Sequence, residues 1–253
     1  MIRLAVAGAK GRMGRCVLDL ASRDSRFEIA SALDRSAQRT LPACDVLIDF
    51  TLPAGTMAWL EVCRERRTPM VIGVTGHDER QSARIVEAAR TIPIVQAANF
   101  SVGMNAVMGM LAQLVRQLGE GYDVEIVETH HRNKVDAPSG TTKTMVEQII
   151  AGSTSRTRSA SDGASVDPSL VVHGRSGRVG ERPRGQIGVH SVRMGEIIGS
   201  HEIHLSGPGE TVTIRHTAHS RDTFAAGAVR AAMWIVDQPP GLYSMSDLIG
   251  RSA

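Results

Sequence analysis

The sequence predicts an α/β chain in two parts: a doubly wound parallel sheet, then a second α+β domain built on a mostly antiparallel sheet. Three observations carry this. Short apolar runs alternate with helical spacing through the first hundred residues, which is how βα units build a parallel sheet. A glycine-rich turn joins the first run to the first helix. After about residue 102 an amphipathic helix leads into β-branched runs broken by Gly and Pro-Gly, as in strands joined by turns.

The first run is IRLAVA at 2–7, a strand by its apolar continuity. GAKGRMG follows at once, and Gly8, Gly11 and Gly14 form a G-x-x-G-x-x-G pattern. Such a turn leaves the strand tightly, lets a pyrophosphate touch backbone and packs a helix close. RMGRCVLDLAS, 12–22, carries the helical spacing, and its N-terminus offers N–H groups to phosphate. FEIASAL then ends at Asp34, twenty positions after Gly14. An acid there suits adenosine ribose hydroxyls, and Arg35 beside it suits a 2′-phosphate. This is the pattern of a Rossmann-like, dinucleotide-binding fold. A glycine-rich turn without a ligand is the alternative.

Three more units follow: ACDVLIDF as strand and TLPAGTMAWLEVCRERR as helix; PMVIGVTG and HDERQSARIVEAARTI; then the strand PIVQAANF. Ligands of such sheets sit beyond the carboxyl ends of the strands. Phe50-Thr51, Gly73-Val74-Thr75-Gly76 and Ala97-Ala98-Asn99-Phe100 fall there, either as ligand loops or as plain turns.

In the second half, VGMNAVMGMLAQLVRQLG reads as an amphipathic helix and YDVEIVETHH as a strand. Residues 151–168 are small, polar and Arg-bearing, the composition of a surface loop. DTFAAGAVRAAMWIVDQPPG is a closing helix whose Ala-rich face suits docking on the first domain. The domains are therefore 1–101, completed by 220–253, and 102–219.

Composition narrows the function. With 253 residues and 42% hydrophobic content, the chain can bury a core, but at 3% aromatics that core is aliphatic. A formal charge of +3 with no Lys/Arg patch does not argue for nucleic acid. No apolar run of about 18 residues is present, so no membrane span is expected. Cys16, Cys44 and Cys63 lack CxxC spacing and read as apolar fillers in a reducing compartment, which with the absence of a signal-like start suggests the cytoplasm. The only lysines are Lys10, Lys134 and Lys143, in a chain that otherwise uses Arg. An ammonium is not interchangeable with a guanidinium, so these positions draw interest.

The densest chemistry is VETHHRNKVDAPSGTT, 127–142. His130 and His131 are adjacent, so on a strand only one can face a given cleft. A histidine can give a proton near neutral pH, and Lys134 can pin a carboxylate or share in proton transfer. Pro138 to Thr142 open a helix, with Pro in the first turn and hydroxyls at the cap, so bare N–H groups there make an anion site. A structural His pair is the alternative. Zinc is not expected: His201/His204 and His216/His219 are spaced so that strand geometry points them to opposite faces. SGTTKT also lacks the order of a phosphate-binding P-loop.

These residues resemble the 4-hydroxy-tetrahydrodipicolinate reductase (dihydrodipicolinate reductase) family. The likeness runs nearly end to end, through GAKGRMGR at 8–15, GVTG at 73–76, ANFSVGMN at 98–105, ETHHRNKVDAPSGT at 128–141 and the final GLYSMSDLIG. It implies reduction of a cyclic, unsaturated dicarboxylate by NADH or NADPH, in diaminopimelate and lysine synthesis. By that likeness His130 is the acid/base residue and Lys134 its catalytic partner, while His131, Ser139, Gly140 and Thr141 bind substrate. Gly8, Lys10, Gly11, Arg12, Met13, Asp34 and Arg35 would hold the adenosine and phosphate end. Gly73, Thr75, Ala97, Asn99 and Phe100 would lie near the nicotinamide. The family implies a homotetramer built through the second domain, with hinge closure between domains. The segment after Asp34, SAQRTLPACD, is shorter than in many relatives, and Asp34 beside Arg35 suggests use of both cofactors. Alternatives are a related nicotinamide-dependent imine reductase, a nucleotide-binding sensor without catalysis, and a lyase using Lys134 as a Schiff base.

Overall fold

In a computed structural model of the protein, residues 1–34, 40–153 and 170–250 are described. Arg35 and most of the loop expected at 151–168 lie outside them. The chain opens as β1 (Ile2–Ala7), α1 (Arg12–Ser22), β2 (Phe27–Leu33), β3 (Val46–Asp49) and α2 (Pro53–Arg66). It continues as β4 (Met70–Ile72), α3 (Glu79–Ala88), β5 (Pro93–Gln96), α4 (Val102–Leu118), β6 (Asp123–His130) and α5 (Gly140–Gly152). Then come β7 (Val171–His173), β8 (Ile187–Arg193), β9 (Gly199–Gly207), β10 (Glu210–Ala218), α6 (Asp222–Ile235), β11 (Gly241–Tyr243) and α7 (Met245–Ile249). The chain separates into two compact units, Met1–Asn105 with Ser220–Ala253 and Ala106–His219, so the break lies within α4.

The first unit is a six-stranded parallel sheet in the order β11-β5-β4-β3-β1-β2. Strand order reverses between β1 and β3, the switch point where such sheets take ligands. Both faces are buried, and the period of two shows how. Leu4, Val6, Val46, Ile48, Val71 and Val95 face a core shared with α1, α6 and α7. Their neighbours Ala5, Ala7, Leu47, Met70, Ile72 and Ile94 face a second core under α2 and α3. Each fully buried Val, Leu, Ile or Met among them stabilises the fold by about 1.5–3 kcal/mol, and each Ala by less. The Ala-rich closing helix α6 packs against α1 and across β3, β4 and β5. Small side chains permit that approach, and a Cβ at Gly227 would collide with the Phe100 carbonyl.

Helix ends in this unit follow local chemistry. Asp78 and Gln81 form a reciprocal capping box at the start of α3. Pro53 stands in the first turn of α2. β11 and α7 carried no pattern strong enough to be expected. β11 completes the sheet edge beside β5, and α7 adds Met245 and Leu248 to the core on one face.

The second unit holds a five-stranded sheet, β10-β9-β6-β8-β7. It is more mixed than the expected mostly antiparallel sheet: β10/β9 and β9/β6 are antiparallel, while β6/β8 and β8/β7 are parallel. The α5 crossover after β6 leads to β7, and the long connection 174–186 then carries the chain back so that β8 enters between β6 and β7 in the same direction as both. Residues 174–186, rich in Gly and Arg, form the loop before β8 rather than a strand. Val124, Ile126, Ile187, Val189, Ile203 and Leu205 are buried, as are Leu111 and Val115 of α4 and Met145 and Ile149 of α5. Gly152 lies so close to the Ala112 carbonyl that α4 and α5 leave no room for a side chain there.

Candidate active site

In the first unit, Gly8 directly follows β1 at φ 79°, with its N–H on the Leu33 carbonyl at 3.0 Å. A Cβ at Gly8 would sit 2.6 Å from the Phe50 carbonyl oxygen, and one at Gly14 would collide with the Gly8 carbonyl. Gly11 is the N-cap of α1, and no side chain caps that helix. Arg12 and Met13 begin it, Arg12 exposed and Met13 half-buried. The turn is therefore a backbone cradle closed to side chains and tipped by a helix N-terminus, which fits a dinucleotide pyrophosphate. Lys10 Nζ stands 2.7 Å from Asp34 Oδ2, so an ion pair spans the glycine turn and the end of β2. That pair places an ammonium and a carboxylate where ribose chemistry was expected, and it was not foreseen.

The other loops lie at the ends of β3, β4 and β5. Gly73 donates its N–H to the Asp49 carbonyl at 2.9 Å and faces the Phe50 ring. Thr75 is exposed. Ala97 donates its N–H to the Ile72 carbonyl at 3.2 Å. The Asn99 side chain accepts from the Ser101 N–H at 2.8 Å, and its carbonyl accepts from Asn105 Nδ2 at 2.8 Å. Phe100 is buried, edge-to-face with Phe50 at 6.0 Å, so its ring belongs to the core and only its backbone is available to a ligand. Asp49, the last residue of β3, is also buried. Its Oδ1 accepts from the Thr51 N–H at 2.8 Å and fixes the Phe50-Thr51 loop. Burial raises its pKa against the hydrogen bonds from Thr51 and Thr56.

In the second unit, His130 is the last residue of β6 and is buried, while His131 is half-buried just beyond the strand. His130 Nδ1 meets the carboxylate of Glu128, two residues earlier on the same face. Arg193, at the end of β8 and opposite His130 in register, donates to Glu128 Oε1 at 2.7 Å and Oε2 at 2.9 Å. The Ser139 N–H adds a third anchor at 3.3 Å. Burial opposes ionisation of Glu128, but hydrogen bonds from His130, Arg193 and Ser191 outweigh it and hold the carboxyl well below its usual range. His201 of β9 stacks edge-on against His130 at 5.1 Å, and its Nε2 lies 3.3 Å from Ser139 Oγ. Burial first, then the neighbouring His130 charge, lowers the His201 pKa to about 3.

Ser139 caps α5, its Oγ accepting from the Thr142 N–H at 3.3 Å, and Gly140 and Thr141 form the first turn. Pro138 lies ahead of the cap, after a cis peptide, rather than in the first turn as expected. Lys134 sits on the turn between β6 and α5, its N–H on the His131 carbonyl at 3.0 Å and its Nζ on Asp136 at 2.8 and 2.9 Å. Arg193 also donates to the Asp136 carbonyl at 2.6 Å, tying the Lys134 turn to the His130 strand.

Glu128, Asp136, Arg193 and His201 were thus missed as site residues. Glu128 was legible in principle, since E-x-H on a strand puts both side chains on one face. Arg193 and His201 arrive by long-range strand pairing, which no local spacing announces. Glu128, His130 and His201 offer ligand atoms within 4.8 Å of one another, the only such group with metal-ligand chemistry found among the described residues. Arg193 occupies the Glu128 carboxylate that a cation would need. The expected opposite facing of His201 and His204 agrees with their burial, the first buried and the second half-exposed.

Comparison with known proteins adds to this geometry. A family model described as dihydrodipicolinate reductase, N-terminus, matches residues 2–100, and one described as dihydrodipicolinate reductase, C-terminus, matches 103–249. The chain is 42% identical over 255 residues to the 4-hydroxy-tetrahydrodipicolinate reductase of Akkermansia muciniphila, covering 100% of this chain and 99% of that one. It is 41% identical over 273 residues to that of Thiobacillus denitrificans, covering 98% of each. A solved structure, dipicolinate-bound dihydrodipicolinate reductase from Paenisporosarcina sp. TG-14, is similar in fold at a TM-score of 0.70 and 24% identity, covering 96% of this chain and 97% of that one.

Proposed function

This chain belongs to the dihydrodipicolinate reductase family, and from that premise we propose how its two units divide the reaction. It reduces 4-hydroxy-tetrahydrodipicolinate to tetrahydrodipicolinate in diaminopimelate and lysine synthesis, drawing on a reduced nicotinamide nucleotide. The observation that carries the division of labour is the buried Glu128–His130 pair beside the N-terminus of α5: a proton donor next to an anion anchor.

When bound, the nucleotide supplies the hydride. Gly8, Gly11, Arg12 and Met13 hold its phosphates at the start of α1, and Lys10 and Asp34 hold the adenosine ribose. With an ammonium and a carboxylate side by side, a 2′-phosphate and a free hydroxyl are both accommodated, so NADH and NADPH are both used. Gly73, Thr75, Ala97, Asn99 and the Phe100 backbone take the nicotinamide end.

In the second unit, His130 delivers the proton that balances hydride addition, and Lys134 stabilises or relays it. Ser139, Gly140 and Thr141 bind one carboxylate at the N-terminus of α5, and Lys134 and His131 bind the other. A dicarboxylate needs two such anchors, and the dipicolinate held by the Paenisporosarcina enzyme has that charge pattern. The protein acts in the cytoplasm as a homotetramer joined through its second unit, an assembly that light scattering on the purified chain would test. Among the described residues, no helix is long and apolar enough to cross a membrane.

The sensor and Schiff-base readings are not favoured, because family matches run through both units under one reductase description. The deciding experiment follows loss of reduced-nicotinamide absorbance with the freshly made product of the preceding synthase. Turnover with both cofactors is expected; oxidation of neither would refute the assignment.

A further inference from the structure

The imidazole of His130 is gripped from one side only. Glu128 and His130 alternate on β6 and share its buried face. β8 brings Arg193 opposite His130, and β9 brings His201 opposite Glu128. The carboxylate therefore lies between strands, fully buried, and its two oxygens accept from Arg193 Nη1 and Nη2, the Ser139 N–H, His130 Nδ1 and the Ser191 hydroxyl. An ionised carboxylate only accepts, so the proton between Glu128 and His130 belongs to Nδ1.

The opposite nitrogen has different surroundings. Nε2 of His130 points towards Gly199 of β9, where a Cβ would stand 3.2 Å away. Any other residue at 199 would crowd that edge of the ring. Among the described residues, the charged and titratable groups set against His130 are Glu128 on its own strand, Arg193 opposite on β8 and His201 on β9, while Lys134 on the following turn holds its ammonium on Asp136. His201 stays neutral there, so it adds no second positive charge beside a protonated His130.

We propose that Glu128 is a positioning residue: its carboxylate, locked by Arg193 and the Ser139 amide, fixes the His130 ring with Nδ1–H inward and presents Nε2 as the nitrogen that passes the proton. The same carboxylate stabilises the imidazolium that a proton donor must be before transfer. The proposal rests on the reading of His130 as the acid. It gives Glu128 no contact with substrate. It also gives Arg193 a purpose: without that guanidinium the carboxylate would be free to turn, and the imidazole with it.

The test uses the full chain. Glu128→Gln keeps the shape and removes the charge. The expected result is a kcat lower by about 10- to 100-fold with a KM within about twofold. Glu128→Asp, charged but a methylene short, should restore part of the lost kcat. Nitrogen-15 NMR of the unsubstituted protein at alkaline pH should show His130 as the Nδ1–H tautomer, with Nε2–H gaining population in Glu128→Gln. A merely structural role would lower melting temperature and active fraction but leave the tautomer in place. Unchanged kcat and tautomer in a folded Glu128→Gln protein would overturn the proposal. So would an Nε2–H tautomer in the unsubstituted protein, a reading that stands even if the variant fails to fold. If the unsubstituted protein oxidises no nicotinamide nucleotide with the substrate, the functional assignment falls, and the tautomer still decides the proposal about Glu128.

Discussion

The two units build their sites from different materials. The first uses backbone: a glycine turn, a helix end without a side-chain cap, and loops at strand ends pinned by Asp49 and Asn99. The second uses side chains gathered from β6, β8, β9 and the start of α5. A common ligand recognised at its phosphates needs N–H groups and close approach, which many sequences can supply. Proton transfer needs one imidazole at one angle, and that takes neighbours. In the division of labour we propose, binding is written locally and chemistry is assembled from a distance.

The comparison breaks most sharply at His130. His130→Gln should lower kcat by about 100- to 10,000-fold while nucleotide affinity, read by fluorescence titration, stays unchanged. Equal damage to both would show that the units do not divide the work. Gly14→Ala probes the other side. Its Cβ would strike the Gly8 carbonyl, so the turn must shift. A nucleotide Kd raised about tenfold or more is expected, with a loss of about 1–3 kcal/mol in urea unfolding.

A finer cut concerns Asp34, whose carboxylate would repel a 2′-phosphate. Asp34→Asn should raise the ratio of NADPH to NADH efficiency by about fivefold, measured as kcat/KM with each cofactor. An unchanged ratio would move cofactor discrimination away from the Lys10–Asp34 pair.

The smallest effect is on stability. The folded pKa of His201, about 3, lies below the ordinary histidine value of 6.5. Between those values the unfolded chain takes up a proton that the folded chain refuses. Stability from this group is therefore complete above pH 6.5 and declines as the pH falls towards 3. Glu128, with its lowered carboxyl pKa, adds a loss of the same sign at the acidic end. Urea midpoints should fall through this window, and His201→Gln should flatten the upper part of the slope.

The fold was largely legible because period-two and helical patterns are local. FEIASAL became β2 and RMGRCVLDLAS became α1 with the expected bounds. The failures share a cause. β7 and β11 are three residues each and owe their existence to partners distant in sequence. The mixed character of the second sheet depends on a crossover that strand spacing cannot show. In the site, His130 and Ser139 were visible as types in a motif, but Arg193 lies inside VRMG, where nothing local separates it from the other arginines. Phe100 shows what a motif leaves open: its place there suggests a ligand contact, its ring serves the core, and its backbone is the part left for a ligand.

The first unit is discontinuous in the chain. One face of its sheet is covered by α1, but most of the remaining cover, α6 with α7, comes from residues 222–249, as does the edge strand β11. During synthesis, strands β1 to β5 emerge from the ribosome more than a hundred residues ahead of those pieces. The nascent sheet, five of its six strands made, must therefore wait with a Val- and Ile-rich surface open to solvent, a stage at which chaperone engagement or mispairing competes with folding.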